Sequence, residues 1–215
     1  MKFILTSSSY RVTADWISRS AIVPHGKKAV FIDTAAEMYV KAEQDWLQID
    51  RRALVSSGFS VSDYSLVGKS KTQLKTELAD VDVVFVAGGN SFILLEHAQK
   101  SGFLELLQEN AFPNSLYVGS SAGSVIMSGD ISAIQFLDDR KQANLTSDMG
   151  ANIYQSLILP HWGSEHFKPR YLKALSYIYE HNISVTALTD QQYLYADNPQ
   201  QGFSLITVTE REQSL

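Results

Sequence analysis

"SLYVGSSAGSVIM", residues 115–127, runs from an apolar segment through a knot of small residues into a second apolar segment. A plain turn needs one glycine at most, yet here Gly119 and Gly123 bracket two serines. That spacing fits a strand turning abruptly into a helix. The central Ser121 then sits on a strained elbow where only small neighbours avoid a clash. The helix begins just behind the serine, so its free N–H groups, foremost that of Ala122, face any negative charge forming there. A glycine-rich turn packed closely on a sheet would carry the same letters, and Ser120 is an off-centre competitor as nucleophile.

Outward from this stretch, short β-rich runs alternate with helical patterns. The runs at 2–7, 29–34, 60–67, 81–88, 115–120, 156–161, 184–189, 193–197 and 203–209 read as strands. Val81–Val86 is almost continuously apolar, the mark of a strand covered on both faces. Helical spacing is legible at 45–58, ending at Gly58, at 71–80, and at 169–182, which opens with Pro169. Residues 90–110 predict two helices broken near Gly102. The polar loop at 128–152 is ambiguous, and a β-hairpin over the site is one way to fold it. Alternating strands and helices argue for α/β architecture with a mainly parallel sheet and helices on both sides. There is no internal repeat or linker, so residues 1–215 are expected to form one domain.

The composition is that of an ordinary globular chain, 45% hydrophobic and 19% charged, with formal net charge −5. No basic stripe marks a nucleic-acid partner. No cysteine is present, which removes disulfides, thiolate metal sites and cysteine nucleophiles. The N-terminal run Phe3–Leu5 is too short for a signal-peptide core or a membrane span. A cytoplasmic location without membrane attachment is therefore the expectation.

In open α/β sheets ligands bind beyond the carboxyl ends of the strands. Two glycine clusters fall there: GGN at 88–90 after one strand and GSSAG at 119–123 after the next. A serine hydroxyl needs a base nearby. Of the five histidines, His97 sits mid-helix, His181 at a helix end and His25 in a turn, while His161 follows the apolar run LIL and Pro160 at a strand end. The spacing of His161 and His166 does not match a common zinc pattern, so no metal is expected. Two glycines at 88–89 let backbone approach a ligand closely. An N–H there, with that of Ala122, would form an oxyanion hole. Neither common phosphate-loop pattern is present.

Three segments in this order, VAGGNSFILL, YVGSSAGSVIM and LILPHWG, resemble the peptidase E family of serine peptidases, family S51, which includes aspartyl dipeptidases and cyanophycinases. The resemblance implies a three-layer α/β/α sandwich like that of class I glutamine amidotransferases. It implies Ser121 as nucleophile, His161 as base, and Gly89 and Ala122 as oxyanion donors, with Asn90 nearby and, like Ser120, expected to contact substrate. No cofactor is implied. Where the family carries a glutamate, this chain has Asp190 in ALTDQQYLY, one methylene shorter; Asp138, Asp139 and Asp148 are alternative carboxylates. Where the family often has tryptophan before the serine, this chain has Ser120, which alters the pocket wall. Arg170 is the candidate cation for an acidic substrate side chain, and a solvated surface arginine is the plainer account of it.

The expected substrate is a short peptide, with the enzyme a monomer or homodimer. Two other readings stand beside this one: an esterase or acyl hydrolase, and a catalytically degenerate binding module on the same fold.

Overall fold

The computed structural model describes residues 1–37, 39 and 45–209. The apolar runs become nine strands: β1 (Lys2–Thr6), β2 (Lys28–Ile32), β3 (Ser60–Tyr64), β4 (Val83–Val86), β5 (Leu116–Ser120), β6 (Leu157–Leu159), β7 (Val185–Ala187), β8 (Gln192–Ala196) and β9 (Ser204–Thr207). Seven form one sheet in the order β3-β2-β4-β5-β1-β8-β9. The first five run parallel, and β8 and β9 extend the sheet antiparallel beyond β1. β6 and β7 make a separate parallel pair.

The helices are α1 (Ser9–Ser20), α2 (Asp45–Ser56), α3 (Lys71–Glu77), α4 (Ser91–Lys100), α5 (Phe103–Gln108), α6 (Ala122–Val125) and α7 (Lys168–Glu180). Strand side chains alternate between two cores. Ile4, Phe31, Phe85 and Val118 face Val12 and Trp16 of α1 and Leu47 and Leu54 of α2. Leu5, Ile32, Val86 and Tyr117 face the opposite core, with residues of α3 to α7. This is the expected three-layer α/β/α sandwich with a mainly parallel sheet.

Three local expectations are corrected. Helix α1 is not announced by its sequence: SYRVTADWISRS carries only Val12 and Trp16 as large buried apolar residues, one turn apart, too few for a clear stripe. Loop 128–152 forms no hairpin. It holds two short 3-10 turns, Ser132–Phe136 and Arg140–Gln142, and a single antiparallel bridge, Asp130 to Met149, at its neck. β3 ends at Tyr64, and the chain then turns inward, where the N–H of Leu66 donates to Thr34 Oγ1 at 2.9 Å. The break at Gly102 is found as expected, with φ 73° between α4 and α5.

The two glycines around Ser121 have a steric cause. A Cβ on Gly123 would lie 2.1 Å from the Val86 carbonyl oxygen, and one on Gly119 would lie 2.7 Å from the Gly123 backbone. Backbone packs on backbone where β5 turns into α6. Gly123→Ala is therefore expected to destabilise the fold by about 3 kcal/mol or more. Urea unfolding of variant and wild type measures the difference.

Candidate active site

Ser121 occupies the junction of β5 and α6 with φ 49° and ψ −108°, a conformation costing roughly 1–3 kcal/mol for a residue with a side chain. Its surroundings over-determine it. The Ser121 N–H donates to Thr6 O at 3.1 Å. The Ser124 hydroxyl lies 2.7 Å from Thr6 O and 2.9 Å from Gly119 O, and the Tyr117 hydroxyl donates to Gly123 O at 2.6 Å.

His161 stands two residues beyond β6, and Asp190 follows β7. Parallel pairing, Leu159 opposite Ala187, brings both strand ends to the same height. His161 Nε2 lies 3.0 Å from Ser121 Oγ, and Nδ1 lies 2.8 Å from Asp190 Oδ1. The imidazole stacks on Phe167 at 4.8 Å, and the Tyr171 hydroxyl donates to the carbonyl of Pro160 just before it. Burial pushes the Asp190 carboxyl up, but hydrogen bonds from His161 and Ser7 outweigh this and hold it below the ordinary carboxylate value.

Ser7 has no counterpart among the sequence candidates. Fully buried at the end of β1, its hydroxyl donates to Asp190 Oδ1 at 2.7 Å and accepts the backbone N–H of His161 at 2.7 Å. The only signal for it is topological: β1 lies between β5 and β8, so the residue after it meets both halves of the site.

Gly89, with φ 137°, and Gly88 line the cleft beside Ser121. A Cβ on Gly89 would sit 2.2 Å from Ala35 O. Among the described residues the N–H groups of Gly89 and Ala122 have no protein acceptor. Such donors can meet an oxyanion.

Asn90 is not brought to the cleft. It is 1% exposed and caps α4 through Phe92 and Ile93 N–H, while its amide donates to Asp139 O and Gln142 Oε1. With both ends engaged, its place is structural, and substrate contact is corrected to helix capping. Asp139 accepts Lys141 N–H, and Asp148 pairs with Arg140 at 2.9 Å, so neither reaches His161. Asp138 does line the cleft, where it accepts Ser91 N–H at 2.8 Å.

The cleft has a volume of about 520 Å³, within the range that encloses a drug-sized ligand. Ser120 and Arg170 both border it. Arg170 stacks over Phe167 and donates one N–H to Leu137 O at 3.0 Å. On the opposite wall is Asp50. Burial pushes its carboxyl up to about 6, against hydrogen bonds from the Ser120 hydroxyl and Tyr10 N–H and the nearby charge of His161. Among the described residues no group of three or more acidic or histidine side chains is arranged to hold a metal ion, and no helix is long and apolar enough to cross a membrane.

The model of peptidase family S51 matches residues 3–202. An uncharacterized peptidase of Listeria monocytogenes is 32% identical over 78% of this chain and 82% of its own. An uncharacterized peptidase of Pasteurella multocida is 28% identical over 75% and 78%. The crystal structure of a Listeria monocytogenes EGD-e protein provisionally assigned as peptidase E superposes with TM-score 0.85 at 26% identity, covering 97% of this chain and 98% of that one. A peptidase from an acI-B1 actinobacterium shares the fold, with TM-score 0.70 at 16% identity over 97% and 88%.

Two outcomes follow from this geometry. Ser7→Ala strands the His161 N–H and removes a donor from Asp190, and is expected to cost about 1–3 kcal/mol in urea unfolding. Asp50 holds its proton more tightly folded than unfolded, where the ordinary value is 3.8. The resulting stability is fully present below pH 4 and is lost as pH rises through about 6. Asp50→Asn lacks that loss. Relative to wild type it should therefore gain on the order of 3 kcal/mol between pH 4 and pH 7, measured by urea unfolding at both values.

Proposed function

The chain belongs to peptidase family S51, and from that premise we propose that it is a serine-type peptidase hydrolysing short peptides through an acyl-enzyme. The observation that carries this reading is the continuous line from Ser121 Oγ to His161 Nε2 at 3.0 Å and from His161 Nδ1 to Asp190 at 2.8 Å. Beside it stand the N–H groups of Gly89 and Ala122, without acceptors among the described residues.

In this mechanism Ser121 Oγ attacks the carbonyl carbon of the scissile bond as His161 Nε2 takes its proton. Asp190 fixes the tautomer that leaves Nε2 free to accept, and stabilises the imidazolium. The N–H groups of Gly89 and Ala122 receive the oxyanion, and each such donor typically contributes roughly 2.7–4 kcal/mol. His161 returns the proton to the leaving amine. Water, deprotonated by the same ring, then hydrolyses the ester. Asp190 is one methylene shorter than the family's glutamate, and Ser7 donates to its carboxylate at 2.7 Å.

The cleft size favours short peptides over folded proteins. Arg170 supports a preference for an acidic first residue: a guanidinium carries five donors, and one is used on Leu137.

Intact-mass spectrometry after fluorophosphonate treatment tests the assignment. One adduct on wild type and none on Ser121→Ala is expected; no adduct on folded wild type would favour a degenerate binding module. On a dipeptide library, Ser121→Ala and His161→Ala should each lower kcat on the order of 10⁴-fold or more, and Asp190→Asn on the order of 10⁴-fold. Hydrolysis of simple esters with no peptide cleavage would point to an esterase.

A further inference from the structure

Helix α2 lays Trp46, Ile49 and Asp50 against the cleft, at the i, i+3 and i+4 positions of one helical face. Two of these are hydrophobic walls. The third is a carboxylate only 7% exposed. Among the described residues, Asp50 is the only acidic or basic side chain in the buried set.

We propose that Asp50 anchors the free α-ammonium group of a peptide's first residue, so that the first peptide bond lies at Ser121. The proposal rests on the serine-peptidase reading given above and adds to it the end of the chain that is recognised.

Burying a carboxylate is unfavourable unless a cation or several donors compensate it. Asp50 has only neutral hydrogen-bond donors, the N–H of Tyr10 at 2.8 Å and the Ser120 hydroxyl. Among the described residues no lysine or arginine forms an ion pair with it. The basic group it does feel, His161, already bonds Ser121 and Asp190. Asp138, the other acid near the cleft, differs in having Arg170 close by as a counter-charge.

Asp50's structural task is to cap α1, where the side chain of Ser8 makes no cap. Asparagine ranks with aspartate as a helix cap, so capping alone does not call for the charge. It faces a cleft, and a peptide's amino terminus is the cation such a substrate brings.

The charge layout agrees. α2 packs on one face of the sheet and α7 on the other. The cleft therefore has Asp50 on one wall and, on the other, Arg170 beside Asp138. Of these two carboxylates, only that of Asp50 lacks an arginine or lysine at its side among the described residues.

The test compares aspartyl, leucyl and alanyl p-nitroanilides with their des-amino counterparts: succinyl, 4-methylpentanoyl and propionyl p-nitroanilide. Each pair differs only in the ammonium group. Wild type should prefer the amine-bearing member of its best pair by at least about tenfold in kcat/KM, and Asp50→Asn should reduce that ratio by at least about tenfold. A helix cap alone would lower both members of the pair alike and leave the ratio unchanged, which overturns the proposal. Equal cleavage of both members by wild type overturns it without any variant, so misfolding of Asp50→Asn does not shelter it. If Ser121 reacts with fluorophosphonate but none of the three amine-bearing substrates is cut, this proposal fails and the activated serine stands. If Ser121 does not react and nothing is cut, the serine-peptidase reading fails first.

Discussion

Everything at the site depends on one backbone contact, the approach of the Gly123 turn to the Val86 carbonyl. With any side chain at 123, α6 would stand off from β4 and the turn at Ser121 would relax. At this turn Ser121 takes φ 49°, and its hydroxyl oxygen lies 3.0 Å from His161 Nε2. Hydrogen bonds from Ser124 and Tyr117 hold the carbonyls on either side of Ser121.

The second organising element is β1. It lies in the large sheet between β5, which delivers Ser121, and β8, which follows Asp190. Its last residue receives the Ser121 N–H, and the next, Ser7, holds both His161 and Asp190. Residues 121, 161 and 190 are far apart in the chain and come from different elements. A five-residue strand sets their common origin.

Much of the scaffold was legible because buried parallel strands are written as short apolar runs and Gly102 interrupts an otherwise continuous helical pattern. Ser121 and His161 could be singled out because each follows such a run. What the letters hide is partnership across the sheet. Ser7 is one serine among three, and only the neighbours of β1 distinguish it. Asn90 reads as a polar residue next to a glycine pair, and only its full set of hydrogen bonds makes it a cap. Asp50 lies in a helix where an acid is ordinary, and its burial comes from packing against the start of α1. Helix α1 itself is hidden in the sequence because two buried apolar residues one turn apart give too weak a stripe, while tertiary contacts with the sheet supply its stability.

His161 and Asp190 leave from neighbouring strands of the small β6–β7 pair, while Ser121 leaves from the large sheet. The β6–β7 ladder holds His161 and Asp190 side by side, and Asp190, two residues before β8, is tied to the large sheet as well. The contact between Ser121 and His161 spans the seam between the two sheets. Two short bonds from Ser7, together with the bond from Ile158 N–H to Ser128 Oγ at 3.0 Å, act as rivets across that seam. His161 and Asp190 thus come from one side of the seam and Ser121 from the other, and the line between them is kept by the bonds that cross it.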